Sequence, residues 1–356
     1  HSLDVGDSFY RLGSSTSRMT EEVRARLRDV GRVSNGLVTE EEWKTYSSSI
    51  SREIWVIGGW SEGNEADRLI ISEVCGTSYE KSVSDFKATF PSSFIETHGY
   101  VLDIRVSGLA FEYLGRYLTD HLLDKLAPIL SKVFSSQGVF NEEGTSLSCS
   151  NSIRRGVASF CALLANSKQQ AKNCSSRKID WFVYTVAAAA FGSGDLRTLK
   201  LNDEIMPLLA ESCPAAFLRF VSRGDESDCL RESLRQSDGW RAFGLVRAVA
   251  LLGRKEDYFA SAVSSLLMLA EYCSLAERKL IDLLVPWHPQ TEARLAAREG
   301  AAKKILSANT DSSWRILLGL LPGKNTSVVI SPGPAFMSDG AIPESVSTSD
   351  FQKISS

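Results

Sequence analysis

Residues 55–69 read WVIGGWSEGNEADRL. An apolar run over 54–57, IWVI, stops at Gly58–Gly59, and a stretch of helical character follows. Strand, glycine turn, helix is the setting of a phosphate-binding loop, in which backbone N–H groups at a helix N-terminus hold an anion. The common NTPase form needs G-x-x-x-x-G-K-[ST], with the Lys on the β/γ-phosphates and the hydroxyl on Mg2+. Here the glycines lead into Trp60, Ser61, Glu62, Gly63, Asn64 and Glu65, with no Lys, and the chain has no G-x-G-x-x-G. The two Glu would repel a phosphate. The structural alternative fits better: Gly59 ends the apolar run, Ser61 or Asn64 caps a helix, and Glu65 and Asp67 lie at its positive end.

Working outward, Leu69, Ile70, Ile71 and Val74 give the next stretch a helical face, and SYEKSVSDFKATF (78–90) is amphipathic again before Pro91 stops it. SSFIETHGYVLDIRV (92–106) then offers two short runs rich in Ile, Val and Tyr around His98–Gly99, a hairpin signal. Helix, helix, hairpin is the order of a winged helix, expected over residues 53–116. Upstream, residues 1–52 predict a helical segment, with TSRMTEEVRARLRDVG (16–31) and TEEEWKTYSSSI (39–50) each opening on a Thr-Glu-Glu start.

Residues 117–323 predict a stacked antiparallel helical array, α-solenoid-like, so the expected class is mainly α. GLAFEYLGRYLTDHLLDKLAPILSKVF (108–134) carries apolar residues at helical spacing, as do 151–166, 177–192, 202–222, 239–253, 256–274, 277–285, 290–307 and 313–321. Short links force neighbouring helices to bury their stripes on each other. LLAESCP (208–214) resembles MLAEYCS (268–274), but sixty residues is too long for one two-helix repeat, and the match is read as chance. The tail, 324–356, is rich in Ser, Pro and Gly without a period and predicts an extended or disordered end.

Bulk properties narrow the function classes. The 356 residues carry 43% hydrophobic and 23% charged residues, a net charge of −3 and a pI near 6.0. That balance offers no basic excess to gather nucleic acid. Seven scattered cysteines without C-x-x-C spacing, and four histidines, argue against a zinc site or disulfide framework and for reduced thiols in a cytoplasmic setting. No run of 18 apolar residues predicts a membrane span, and HSLDVGDSFY is no signal peptide. The first residue is His rather than Met, which fits part of something longer.

Catalytic signatures are missing. There is no G-x-S-x-G, and His288 in VPWHPQTEAR has Glu292 four residues on but no second His for a metal pair. His288 and Trp287 are expected to pack between Pro286 and Pro289, and His121 to face solvent or cap a helix. SCSNS (148–152) reads as a cap before IRRGVASFCALLA. Trp181, Trp240, Trp287 and Trp314 are expected to fill the core and the gaps between helices. Three positions remain as candidate partner contacts: His98 at the hairpin, and Arg154 and Arg155 at a helix start, where two Arg are more often a solvated face. No catalytic, cofactor-binding or metal-ligating residue is assigned.

IGGWSEGNEADRLIISEVCGTSYEKSVSDF and HGYVLDIRVSGLAFEYLGRYLT resemble the segment after the NTPase core of large bacterial STAND-type, NLR-like antiphage defence proteins. SNSIRRGVASFCALLAN, IMPLLAESCPAAFLRFV, DYFASAVSSLLMLAE, LVPWHPQTEARLAAREGA and SSWRILLGLLPG resemble their helical C-terminal part. The likeness covers about 50–325, and its motifs are packing patterns rather than catalytic signatures. It implies an effector, a P-loop ATP switch and a helical region that senses a ligand such as a phage protein, with self-oligomerisation on recognition. This chain would then be the non-catalytic sensing and regulatory part, taking a protein partner, with ATP in the parent's NTPase domain. The alternative is a nucleic-acid binder acting through the winged helix. Its candidate reading helix balances Lys81 and Lys87 against Glu80 and Asp85, which speaks against it.

Overall fold

The structure, a computed structural model, describes residues 53–89, 95–104, 111, 114–222, 224–235, 242–286, 288–321 and 333–338. The helices expected over 1–52, Trp240, Trp287 and most of the tail lie outside these residues.

The run Ile54–Ile57 is a 3-10 helix, not the strand its composition suggested, and all four of its side chains are buried. A strand facing solvent on one side cannot bury consecutive residues, whereas a turn of helix wedged into a core can. The strand comes after the glycine turn, as β1 (Gly59–Ser61). Next come α1 (Glu65–Cys75) and α2 (Tyr79–Thr89), then a hairpin of β2 (Ile95–His98) and β3 (Val101–Ile104). β1 pairs antiparallel with β3, Trp60 opposite Leu102, giving a sheet of order β1–β3–β2. Trp60 is fully buried, meets Phe86 of α2 at 6.2 Å between ring centres, and donates its indole N–H to the Tyr79 hydroxyl at 3.1 Å.

The rest of the described chain is mainly helical. The stretch 108–134 does not form one helix: a 3-10 turn (Gly115–Tyr117) precedes α3 (Asp120–Lys132), which starts where the Thr119 hydroxyl accepts the Leu122 N–H. A small hairpin of β4 (Val139–Phe140) and β5 (Ser146–Leu147) leads to α4 (Asn151–Asn166) and α5 (Ser176–Phe191). The run expected over 202–222 begins at the end of α6 (Leu196–Asn202), passes through a 3-10 turn, and then splits into α7 (Met206–Ser212) and α8 (Pro214–Ser222). Pro214 lacks the N–H that would continue α7, and it suits the first position of a new helix. α9 (Gly224–Arg235), α10 (Phe243–Leu252), α11 (Glu256–Leu269), α12 (Ser274–Leu284), α13 (Leu295–Ala308) and α14 (Asp311–Gly319) complete the order.

Packing proceeds as a stack. α4 lies against α5 and α7, α7 against α10, α10 against α11 and α12, α12 against α14, and α14 against α13. One continuous apolar cluster runs from Ile54 through to Ile316. Aromatic edges carry it across the first junction: Trp55 meets Phe160 of α4 at 5.6 Å, and Phe160 meets Phe182 of α5 at 6.2 Å. Trp181 and Trp314 depart from expectation, standing 43% and 51% exposed. α5 turns Ile179, Phe182, Val183 and Val186 inward, which leaves Trp181 outside with the Lys178 ammonium 4.5 Å from its ring centre. α14 buries Ser312, Ser313 and Ile316 and keeps Trp314 off that face.

α4 carries the junction. Its Gly156 lies so close to the glycine turn that an added Cβ would come 2.0 Å from the Ile57 carbonyl oxygen and 2.7 Å from the Gly59 nitrogen. Gly58, at φ +73°, faces it, and a Cβ there would sit 2.9 Å from the Gly156 Cα. Gly58 and Gly156 therefore serve a backbone-to-backbone contact. Gly156→Ala is expected to destabilise the chain by about 3 kcal/mol or more in urea unfolding, since only backbone could yield. Gly63→Ala, where a Cβ meets nothing within 4 Å, should stay within about 1 kcal/mol; equal losses would refute the close-approach account.

Candidate functional site

The start of α4 also holds the polar core of the junction. Asn64 caps α1 by accepting the Asp67 N–H at 3.1 Å, as the sequence suggested for this position. Asp67 is more than a first-turn acid: it is fully buried, and its carboxylate accepts the Ser61 N–H at 2.8 Å, the Ser150 N–H at 2.8 Å and the Ser150 hydroxyl at 2.5 Å. The Ser150 oxygen in turn accepts the Ile153 N–H at 3.3 Å and so caps α4. One carboxylate thus ties β1, α1 and the N-terminus of α4 together.

The three candidate contacts separate in space. His98 ends β2 opposite Val101 and is exposed. Arg154 turns inward and is 3% exposed, its guanidinium donating to the Asn151 side chain and the Ser148 hydroxyl at 2.9 Å each. The pair is therefore not a solvated face: consecutive helical positions point about 100° apart, and only Arg155 looks outward. Arg155 reaches Glu204 at 3.9 Å, with both side chains largely in water, an ion pair of little energetic worth.

Arg155 borders two cavities of about 410 Å3 each, and shares Glu204 and Ile205 with both. The first extends between α7, α10 and α12 past Leu208, Arg247 and Leu251; the second follows α4 past Asn151, Ser159 and Leu163. His98 lines neither. Between them runs the described part of the tail: Gly333 and Ala335 border the first cavity, and Phe336 borders the second. Phe336 and Met337 are partly buried against the main apolar cluster.

The tail is held by Glu211, on the last turn of α7. Glu211 is 2% exposed, and its carboxylate accepts three consecutive backbone N–H groups, from Ala335 at 2.8 Å, Phe336 at 2.7 Å and Met337 at 2.9 Å. Successive amides turned toward one anion form a nest. Nothing in the residue pattern around Glu211 announces this. Glu211 stood in LLAESCP as half of an apparent repeat, yet its counterpart Glu271 is exposed. The available signal was Phe336–Met337, a large apolar pair in an otherwise small and polar stretch.

Cys75, Cys149, Cys161, Cys174 and Cys213 are thiols outside any disulfide. Burial raises Cys75 and Cys174 to about 11 and Cys149 and Cys213 to about 12, which keeps them protonated and slow to react. Among the described residues there is no group of three or more His, Cys, Asp or Glu placed to hold a metal ion, and no helix long and apolar enough to cross a membrane.

No family model matches the chain, and neither a curated protein nor a solved structure matches it.

Burial raises the Asp67 carboxyl above its ordinary value, with the Ser150 and Ser61 hydrogen bonds and the Arg154 charge opposing. A folded-state value above the unfolded one means that the folded chain holds the proton more tightly, so stability falls as pH rises through that window. Asp67→Asn cannot titrate there. The stability of wild type relative to D67N is therefore expected to decline as pH rises from about 3 to about 7 in thermal or urea unfolding. A gap that widens over that range would mean the hydrogen bonds outweigh burial.

Proposed function

We propose that the chain is a non-catalytic, ligand-sensing and regulatory protein-interaction region of a STAND-type bacterial defence NTPase. It binds a protein partner and controls an NTPase and effector carried elsewhere, with ATP bound in that NTPase domain and a cytoplasmic location. The sequence resemblance motivates the family. One observation carries the interaction role: a stacked helical array whose groove, between α4, α7 and α10, already accommodates a bent stretch of polypeptide, residues 333–338. Stacked helices present such surfaces to protein segments, and the same surface suits self-association.

The strand–helix–helix–hairpin unit with sheet order β1–β3–β2 supports a winged-helix reading of 53–116. Its role here is a junction rather than a reader of nucleic acid. Lys87 pairs with Glu62 at 3.1 Å and Arg68 with Glu80 at 2.5 Å, so these two cations of the unit are already matched by carboxylates. Phosphate contacts need cations that can release condensed counterions.

The test is capture from infected and uninfected bacterial lysates on the purified chain at low and high salt. One protein retained at high salt, and released by Arg155→Glu together with Arg247→Glu in the groove, is expected. Recovery of nucleic acid alone, lost at high salt, would replace this proposal with the nucleic-acid binder.

A further inference from the structure

The Glu211 carboxylate has a physical problem that, among the described residues, the tail solves. It is an anion 2% exposed, sitting in the last turn of α7, where helix carbonyls already concentrate negative potential. A buried carboxylate without hydrogen-bond donors is strongly unfavourable. Among the described residues its donors are the N–H groups of Ala335, Phe336 and Met337. The site asks for polypeptide backbone in one conformation, three consecutive amides converging on one point. At the point where the amides converge, Glu211 takes donors rather than a second anion.

The tail meets that demand without filling the groove. Each flank keeps a cavity of about 410 Å3, and at the first of them the tail presents only Gly333 and Ala335 toward Ile205, Leu208, Leu251 and Leu283. Arg155 and Arg247 border the same space and are exposed. An occupant with the same backbone turn, a large apolar side chain where the tail has Ala335, and an acidic residue toward these arginines would bury more surface and more charge.

We propose that the groove around Glu211 is a peptide-binding site for a segment of a protein partner that takes the same backbone bend, and that residues 333–338 are its built-in, underfilling competitor. The partner segment supplies three converging amides to Glu211, an aromatic side chain at the place of Phe336, and bulk and negative charge over the first cavity. This inference rests on the reading of the chain as a protein-interaction region. Because the tail is tethered, it competes at an effective concentration in the millimolar range, so a partner must outbid it or find it released.

The experiment uses the full chain and a fluorescein-labelled peptide of residues 331–340, SPGPAFMSDG. Wild type should bind it weakly. Phe336→Pro with Met337→Pro in the protein removes two of the three N–H donors, and hydrogen exchange over 333–338 reads the release. The released chain should bind the peptide at least tenfold more tightly than wild type. A peptide with Leu in place of Ala335 should gain about tenfold further, the worth of burying part of that side chain. The same peptide N-methylated at the amides of Phe336 and Met337 should lose binding, a control that leaves the protein untouched. Glu211→Gln on the released chain should lose it as well.

Equal binding of the N-methylated or a scrambled peptide overturns the site, as does a released chain no tighter than wild type. Peptide binding without any protein captured from lysate keeps the groove and overturns the partner reading. A salt-resistant lysate protein held equally well by wild type, released chain and Glu211→Gln keeps the partner reading and overturns the groove.

Discussion

The contact on which this architecture depends is made by main chain against main chain. Ile57, Gly58 and Gly59 lie on the backbone of α4 at Gly156, at a separation that excludes even a methyl group. That approach fixes where α4 passes the small sheet, and α4 is the helix from which the array extends, through α5 on one side and α7 on the other. A side-chain interface could be repacked by a few compensating substitutions. This one has no side chains to exchange, so the sheet unit and the array meet in one geometry.

Two buried carboxylates complete the frame, and both follow the same rule. Asp67 and Glu211 each leave water and are satisfied chiefly by amide N–H groups delivered from elsewhere in the chain. A buried charge costs several kcal/mol if its donors are missing, so each acid makes the arrival of a remote segment obligatory. Asp67 requires the 148–150 turn, and with it the start of α4. Glu211 requires residues 335–337. The first requirement is built into the core; the second falls on a strand of chain that enters a groove larger than itself.

Much of the helical order was legible in the sequence because it is local. Asn64, Thr119, Ser150, Ser175 and Thr310 cap helices through oxygens three residues from the amides they accept, and the hairpin turns at Gly99–Tyr100 beside His98. What was not legible depends on partners far away in the chain. Arg154 and Arg155 look alike in sequence, and only the 148–151 turn folded against α4 sends one inward. Trp181 reads as core by composition, but its phase on α5 sets it outside. Glu211 shows nothing of its burial, because the amides that donate to it lie more than 120 residues away. The run 54–57 misled for a related reason: an apolar tetrapeptide can be a strand or a wedge, and the close approach of Gly156 decides between them.

The grip of Glu211 on the tail also bears on how the chain can diverge. Every amino acid but proline offers the same amide, so the tail can change its side chain at 335 generation after generation without losing its seat. Constraint falls instead on a single acid in α7 and on the apolar pair at 336 and 337. A contact written in main-chain atoms leaves almost no trace in aligned letters, and relatives that keep it would look unrelated over that stretch while folding their ends into the same groove.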